Sequence, residues 1–177
     1  MRQLLGHVVK LLGLSFCLLL IGTPVQGNEI YEPVSGVRLA PVGKGEFRRF
    51  GFLIYEATLW GGNNPQLPPL ALQLTYKRNI EGRKIVDASV QEMRQLGASE
   101  FLLKIWEAQM TQIFPDVKPG DQITGVYKLN GVIFLFNNRE VGQIKDPEFA
   151  RYFFAIWLDP KTSDPVLRQN LLNNKSS

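Results

Sequence analysis

The chain has 177 residues, the size of one ordinary domain. Hydrophobic residues make up 45% and charged residues 20%, which excludes long disorder and low-complexity arrays. The net charge is +4; setting aside residues 1–27 removes Arg2 and Lys10 and leaves 18 basic against 16 acidic residues. So weak an excess excludes a nucleic-acid footprint, which needs Lys and Arg clustered on one face.

Residues 1–27 read as a secretory signal peptide. Arg2, His7 and Lys10 make the positive start, Leu11 to Ile21 is almost unbroken apolar sequence, and Thr23-Pro24 interrupts it. Val25-Gln26-Gly27 offers modest side chains to a peptidase, so cleavage is expected before Asn28. The rival is an uncleaved anchor, but eleven apolar residues make only ~16 Å of helix against a hydrocarbon core of ~30 Å. The expected compartment is therefore the periplasm, with residues 28–177 as one domain. His7 is the only histidine and Cys17 the only cysteine, and both lie in the leader. A processed chain would have no disulfide, no Cys or His metal ligand, no Cys nucleophile and no Ser-His triad. No metal site or cofactor is signalled elsewhere.

Two strands are expected first, Gly45 to Phe52 and Leu53 to Trp60, rich in Phe, Ile, Tyr and Trp. Residues 61–69 form a Gly-, Asn- and Pro-rich loop. Leu70, Leu72, Leu74 and Tyr76 then alternate with Ala71, Gln73 and Thr75, a period of two with one face toward a core. From Lys84 to Leu96, Ile85, Val86, Val90, Met93 and Leu96 make an amphipathic helical stripe ended by Gly97. Ser99 is placed to cap a second helix reaching Phe114, stopped by Pro115. That helix is apolar nearly all round, which predicts protein on both sides of it.

Pro119-Gly120-Asp121 is a turn. Ile123 to Leu129 and Val132 to Phe136 flank Asn130-Gly131, the pattern of a type I′ hairpin. Asn137-Asn138 reverses the chain into Glu140 to Ile144, completing a three-stranded meander. Asp146-Pro147-Glu148 opens a third helix that ends at Asp159-Pro160. Ser163-Asp164-Pro165 starts a short last helix through Leu172, and residues 173–177 form a tail. Strands in hairpins with helices in two blocks predict an α+β fold, an antiparallel sheet carrying a layer of helices on one face.

Two features bear on chemistry. Arg38, Lys44, Arg48 and Arg49 cluster about the first strands, and adjacent Arg48 and Arg49 must point to opposite faces. Aromatic residues are plentiful, among them Tyr55, Tyr76, Trp106, Tyr127 and Trp157. Most belong to a core, yet apolar walls with one fixed guanidinium are what a pocket for an apolar acid requires. Gly43-Lys44-Gly45 lacks the spacing of a phosphate loop.

Gly45-Glu46-Phe47-Arg48-Arg49-Phe50-Gly51-Phe52 through Trp60 resembles the chalcone isomerase-fold family, specifically its exported bacterial branch. Phe114-Pro115-Asp116-Val117-Lys118-Pro119-Gly120-Asp121 and the block from Asp146-Pro147-Glu148-Phe149-Ala150 to Asp159-Pro160 are similar too. The resemblance covers residues 36–172 and implies an open-faced antiparallel sheet, a helical layer and a ligand cleft between them. Plant members close a chalcone ring by adding a phenolate to an enone; other members bind fatty acids without catalysis.

The catalytic pattern of the plant enzymes mostly fails here. Gly36-Val37-Arg38 resembles their Gly-Val-Arg run, which makes Arg38 the equivalent arginine; a shifted pairing offers Arg48 or Arg49. Their strand Thr falls at or beside Phe50 and Gly51. Their catalytic Tyr and Asn fall near Glu81 and Ala88, so the hydroxyl network is missing unless Tyr76 or Tyr127 replaces it in space. The expected function is thus non-catalytic binding of a small apolar or acidic, fatty-acid-like molecule. The expected ligand-binding residues are Arg38, Arg48, Arg49, Tyr55, Trp106 and Tyr127, and there are no catalytic ones. The alternatives are an isomerase or intramolecular lyase acting on an enone, and an interaction protein of the cell envelope.

Overall fold

A computed structural model describes residues 31–172, except Ser35, Asn63, Pro65 and Gln66. The expected signal peptide and cleavage site lie outside the described residues. The chain forms β1 (Ala40–Arg49), β2 (Phe52–Gly61), β3 (Leu70–Tyr76), α1 (Gly82–Gln95), α2 (Glu100–Ile113), β4 (Gln122–Lys128), β5 (Gly131–Phe136), β6 (Arg139–Ile144), α3 (Pro147–Leu158) and α4 (Pro165–Leu171). The strands make one six-stranded sheet in the order β1-β2-β3-β4-β5-β6, every pair antiparallel. The expected α+β architecture is therefore observed.

Alternation decides the faces. Leu70, Leu72, Leu74 and Tyr76 of β3 join Ala57 and Leu59 of β2, Ile123 of β4 and Phe134 of β5 in the main core, beneath the helices. From above come Val86, Val90 and Met93 of α1, Trp106 of α2, and Phe149, Phe153 and Trp157 of α3. Burying one such side chain stabilises by roughly 1.5–3 kcal/mol, so this layer dominates the stability of the fold. The other sheet face has a smaller core in which Trp60, Ala71, Val126 and Leu135 lie under Val37 and Leu39. Tyr31, Val34, Val37 and Leu39 thus cover the back of the sheet, with a bridge between Tyr31 and Leu39.

The helix ends follow their chemistry. Ser99 accepts from the Leu102 amide, 3.4 Å. Asp146 Oδ1 accepts from the amides of Glu148 and Phe149 at 2.8 and 3.2 Å, with Pro147 in the first turn. Helix α4 lies directly on β1. A Cβ at Gly43 would meet the carbonyl oxygens of Asn170 and Leu171 at 2.3 and 2.5 Å, so only a residue without one admits this approach.

Three expectations are corrected. The first hairpin turns at Phe50-Gly51, with β2 starting at Phe52, rather than between Phe52 and Leu53. The β4–β5 turn is made by Leu129-Asn130, since Lys128 pairs with Gly131. Of the expected positive-φ pair only Gly131 has positive φ, at +144°, pressed against the Ile144 carbonyl. The left-handed pair occurs one turn later, at Asn137 (φ 48°) and Asn138 (φ 65°). Helix α2 is covered on one side only: Phe101 is 75% exposed and Ile105 41%. Its buried residues Leu103, Trp106 and Met110 make a single stripe.

Candidate functional site

Strand register builds the floor of a cavity. Phe47 pairs with Tyr55 across β1–β2, and Tyr55 pairs with Tyr76 across β2–β3, so three aromatic rings run in one line over three strands. The Phe47 and Tyr55 rings stack at 4.9 Å between centroids, and Tyr55 meets Tyr76 edge-on at 5.9 Å. Leu74 and Ile123, paired across β3–β4, extend the floor. Ile85, Ala88, Ser89 and Glu92 of α1 form one wall, and Phe153, Ile156 and Trp157 of α3 form the other. Thr162 to Asp164 and Leu167 of α4 close one side. The cavity volume is about 320 Å³. It lies between sheet and helices, at the lower end of the usual range of ligand pockets.

The polar groups in this space are few and mostly engaged. Ser89 Oγ donates to the Ile85 carbonyl at 2.9 Å, and Thr162 Oγ1 donates to the Ile156 carbonyl. Asp164 Oδ1 is occupied by the Leu167 amide at 2.9 Å, and Lys84 reaches Glu81 at 3.5 Å. The Tyr55 hydroxyl oxygen accepts from Trp157 Nε1 at 3.0 Å, which leaves its own proton free for another acceptor. No hydrogen bond to the Tyr76 hydroxyl occurs among the described residues. Burial pushes both phenols well above their ordinary pKa, and each is raised further by the other's charge or by nearby acids. Both therefore stay protonated as donors. Arg49 stands at the rim, exposed, with its guanidinium 5.6 Å from the Phe50 ring centre. It makes no ion pair among the described residues, so it is the cavity's one cation without an acidic partner. Glu92 and Asp164 are the acids of the lining.

Of the six residues expected to bind ligand, the structure brings Arg49 and Tyr55 together in this cavity. The other four lie outside it. Arg38 is exposed between buried Val37 and Leu39, on the segment that covers the opposite sheet face. Arg48 points away from Arg49, as adjacent strand residues must, and pairs with Glu46 at 2.8 Å. Trp106 is fully buried under α3, its Nε1 donating to Asp146 Oδ2 at 2.8 Å. Tyr127, partly buried, packs on Phe154 at 4.9 Å at the edge of the main core. Tyr76, considered only as a substitute hydroxyl, lies in the floor, and Ala88 stands in the α1 wall. Ile85 belongs to the expected apolar stripe of α1; Ala88, Ser89 and Glu92 were missed because small and polar side chains on a helix read as its solvent face. Among the described residues no three acidic or metal-ligating side chains converge. No described helix is long and apolar enough to cross a membrane.

A family profile described as chalcone isomerase-like matches residues 62–173. No curated protein sequence matches the chain. The solved structure of an Arabidopsis thaliana fatty-acid binding protein superposes with a TM-score of 0.60 at 13% identity, covering 81% of this chain and 91% of that one. At that identity the likeness is one of fold.

Proposed function

The chain belongs to the chalcone isomerase-like family, and from that premise we propose that it is a non-catalytic carrier holding one small apolar acid of the fatty-acid kind between sheet and helices. One observation carries this reading: an apolar cavity of about 320 Å³ whose rim holds an unpaired guanidinium, Arg49. The aliphatic part would lie on Leu74, Ile85, Ile123 and Phe153, and the carboxylate would meet Arg49 at the rim. The fold shared with a fatty-acid binding protein supports the same ligand class. The leader of residues 1–27 supports a periplasmic location, tested by sequencing the amino terminus of the exported protein: a start at Asn28 supports it, and a retained Leu18 to Ile21 refutes it.

Calorimetry with dodecanoate and dodecanol tests the carrier reading. Wild type should bind the acid more tightly. Arg49→Gln should weaken the acid about tenfold, the size expected for one partly exposed charge-assisted hydrogen bond, and leave the alcohol unchanged. Binding of neither compound would overturn the proposal.

The free Tyr76 hydroxyl favours a second reading, an isomerase or intramolecular lyase in which this phenol donates to the developing oxyanion of an enone. Turnover of a broad enone panel that vanishes in Tyr76→Phe would support it; no turnover would remove it.

A further inference from the structure

The tip of the β1–β2 hairpin is built in a way that folding alone does not explain. Its two turn residues are Phe50 at φ +50° and Gly51 at φ +81°. A turn of this hand favours Asn or Gly at both places, and a bulky aromatic residue there is an outlier. Packing gives no compensation, because Phe50 is 88% exposed and Phe52, the first residue after the turn, is 58% exposed. Over these rings lie two guanidiniums, Arg49 at 5.6 Å from the Phe50 ring centre and Arg78 at 5.0 Å from that of Phe52. Neither arginine makes an ion pair among the described residues, whereas their neighbours Arg48 and Lys77 are paired with Glu46 and Glu56.

We propose that this tip docks the protein on an anionic lipid surface, Phe50 and Phe52 entering the boundary between headgroups and acyl chains while Arg49 and Arg78 meet the phosphates. Exposed aromatic rings, each with an unpaired guanidinium over its face, fit the headgroup level, where amphipathic rings and cations sit side by side. The shape favours lipid over a protein partner. The rings stand on a two-residue turn with nothing within 4 Å of a Cβ placed at Gly51, whereas protein anchors fill pockets within a broad desolvated patch. Phe47, Arg49 and Ile54 of the same hairpin line the cavity, so docking brings its mouth to the membrane. Arg49 is shared with the cavity rim, so the test reads Phe52 and Arg78, which the cavity does not use.

The test uses the full chain carrying Phe50→Trp, with vesicles of phosphatidylcholine alone or mixed equally with phosphatidylglycerol, both containing a bromine-labelled lipid quencher. Trp60, Trp106 and Trp157 are at most 7% exposed, so the wild-type chain supplies an unquenched baseline. The indole at position 50 should shift to the blue and be quenched on the anionic vesicles and not on the neutral ones. Adding Phe52→Ser should weaken this partitioning about tenfold and adding Arg78→Gln about fivefold. Attachment through residues 11–21 would leave position 50 in water and unquenched, which overturns the proposal. So does quenching indifferent to the Phe52 and Arg78 changes. Capture by an acidic protein surface without quenching on vesicles would assign the tip to a protein and likewise overturn it.

Discussion

Replacing both cavity phenols, Tyr55→Phe with Tyr76→Phe, should make the protein more resistant to alkali than wild type. Tyr76 is 2% exposed and Tyr55 lies between it and the Phe47 ring, so both ionise in the fold only far above the ordinary phenol range. In the unfolded chain they ionise near pH 10. Above that pH the unfolded state has lost two protons that the folded state retains. Stability is intact below pH 10 and falls as pH rises past it, by ~1.4 kcal/mol per pH unit for each tyrosine, or ~2.7 for the pair. The lysines contribute their own alkaline loss, but it is common to both proteins and cancels in the difference. Urea unfolding at pH 9.0, 10.5 and 11.5 measures it. The gap between the two proteins should close or reverse by ~2.4 kcal/mol between the two higher values. At pH 9.0 the variant starts lower by ~1–3 kcal/mol, because Trp157 Nε1 loses the oxygen it donates to. Parallel curves for wild type and variant across this range would refute the placement of the two phenols.

Asp146→Ala removes an α3 cap worth ~1 kcal/mol and orphans the buried Trp106 N–H at ~1–3 kcal/mol. A loss of ~2–4 kcal/mol in urea unfolding is expected, and less than ~1 would contradict that double role. Gly43→Ala puts a methyl against the last carbonyls of α4. It should cost ~1–3 kcal/mol and speed hydrogen exchange selectively in residues 165–171. Ser89→Leu narrows the cavity from the α1 wall, so dodecanoate affinity should fall more than tenfold while circular dichroism stays native.

Much of the architecture was readable from side-chain pattern, and the reasons are local. The alternation from Leu70 to Tyr76 faces the core as the period of two requires, and Asp146-Pro147 starts a helix because the capping carboxylate and fixed φ act within three residues. What failed depended on tertiary context. Phe50 sits where turn chemistry disfavours it, which hid the first hairpin turn. The apolar circumference of α2 suggested burial, yet Phe101 and Ile105 stay exposed while Leu103, Trp106 and Met110 pack inward. The site was readable in kind more than in position. Adjacency alone required that one of Arg48 and Arg49 face the helices, but register decides which. Trp106 and Tyr127 share composition with cavity walls and differ only in what packs on them. Tyr31, Val34, Val37 and Leu39 follow no strong period, so their cover over Trp60 and Val126 came only with the fold.

The occupancy of the cavity is tested most directly by isotope-edited NOE spectroscopy with uniformly ¹³C-labelled dodecanoate. Contacts from the acyl chain to Leu74, Ile123 and Phe153, with the carboxyl end nearest Arg49, are the predicted result. Contacts confined to the exposed Phe101 and Ile105 face of α2, or none at all, would contradict it.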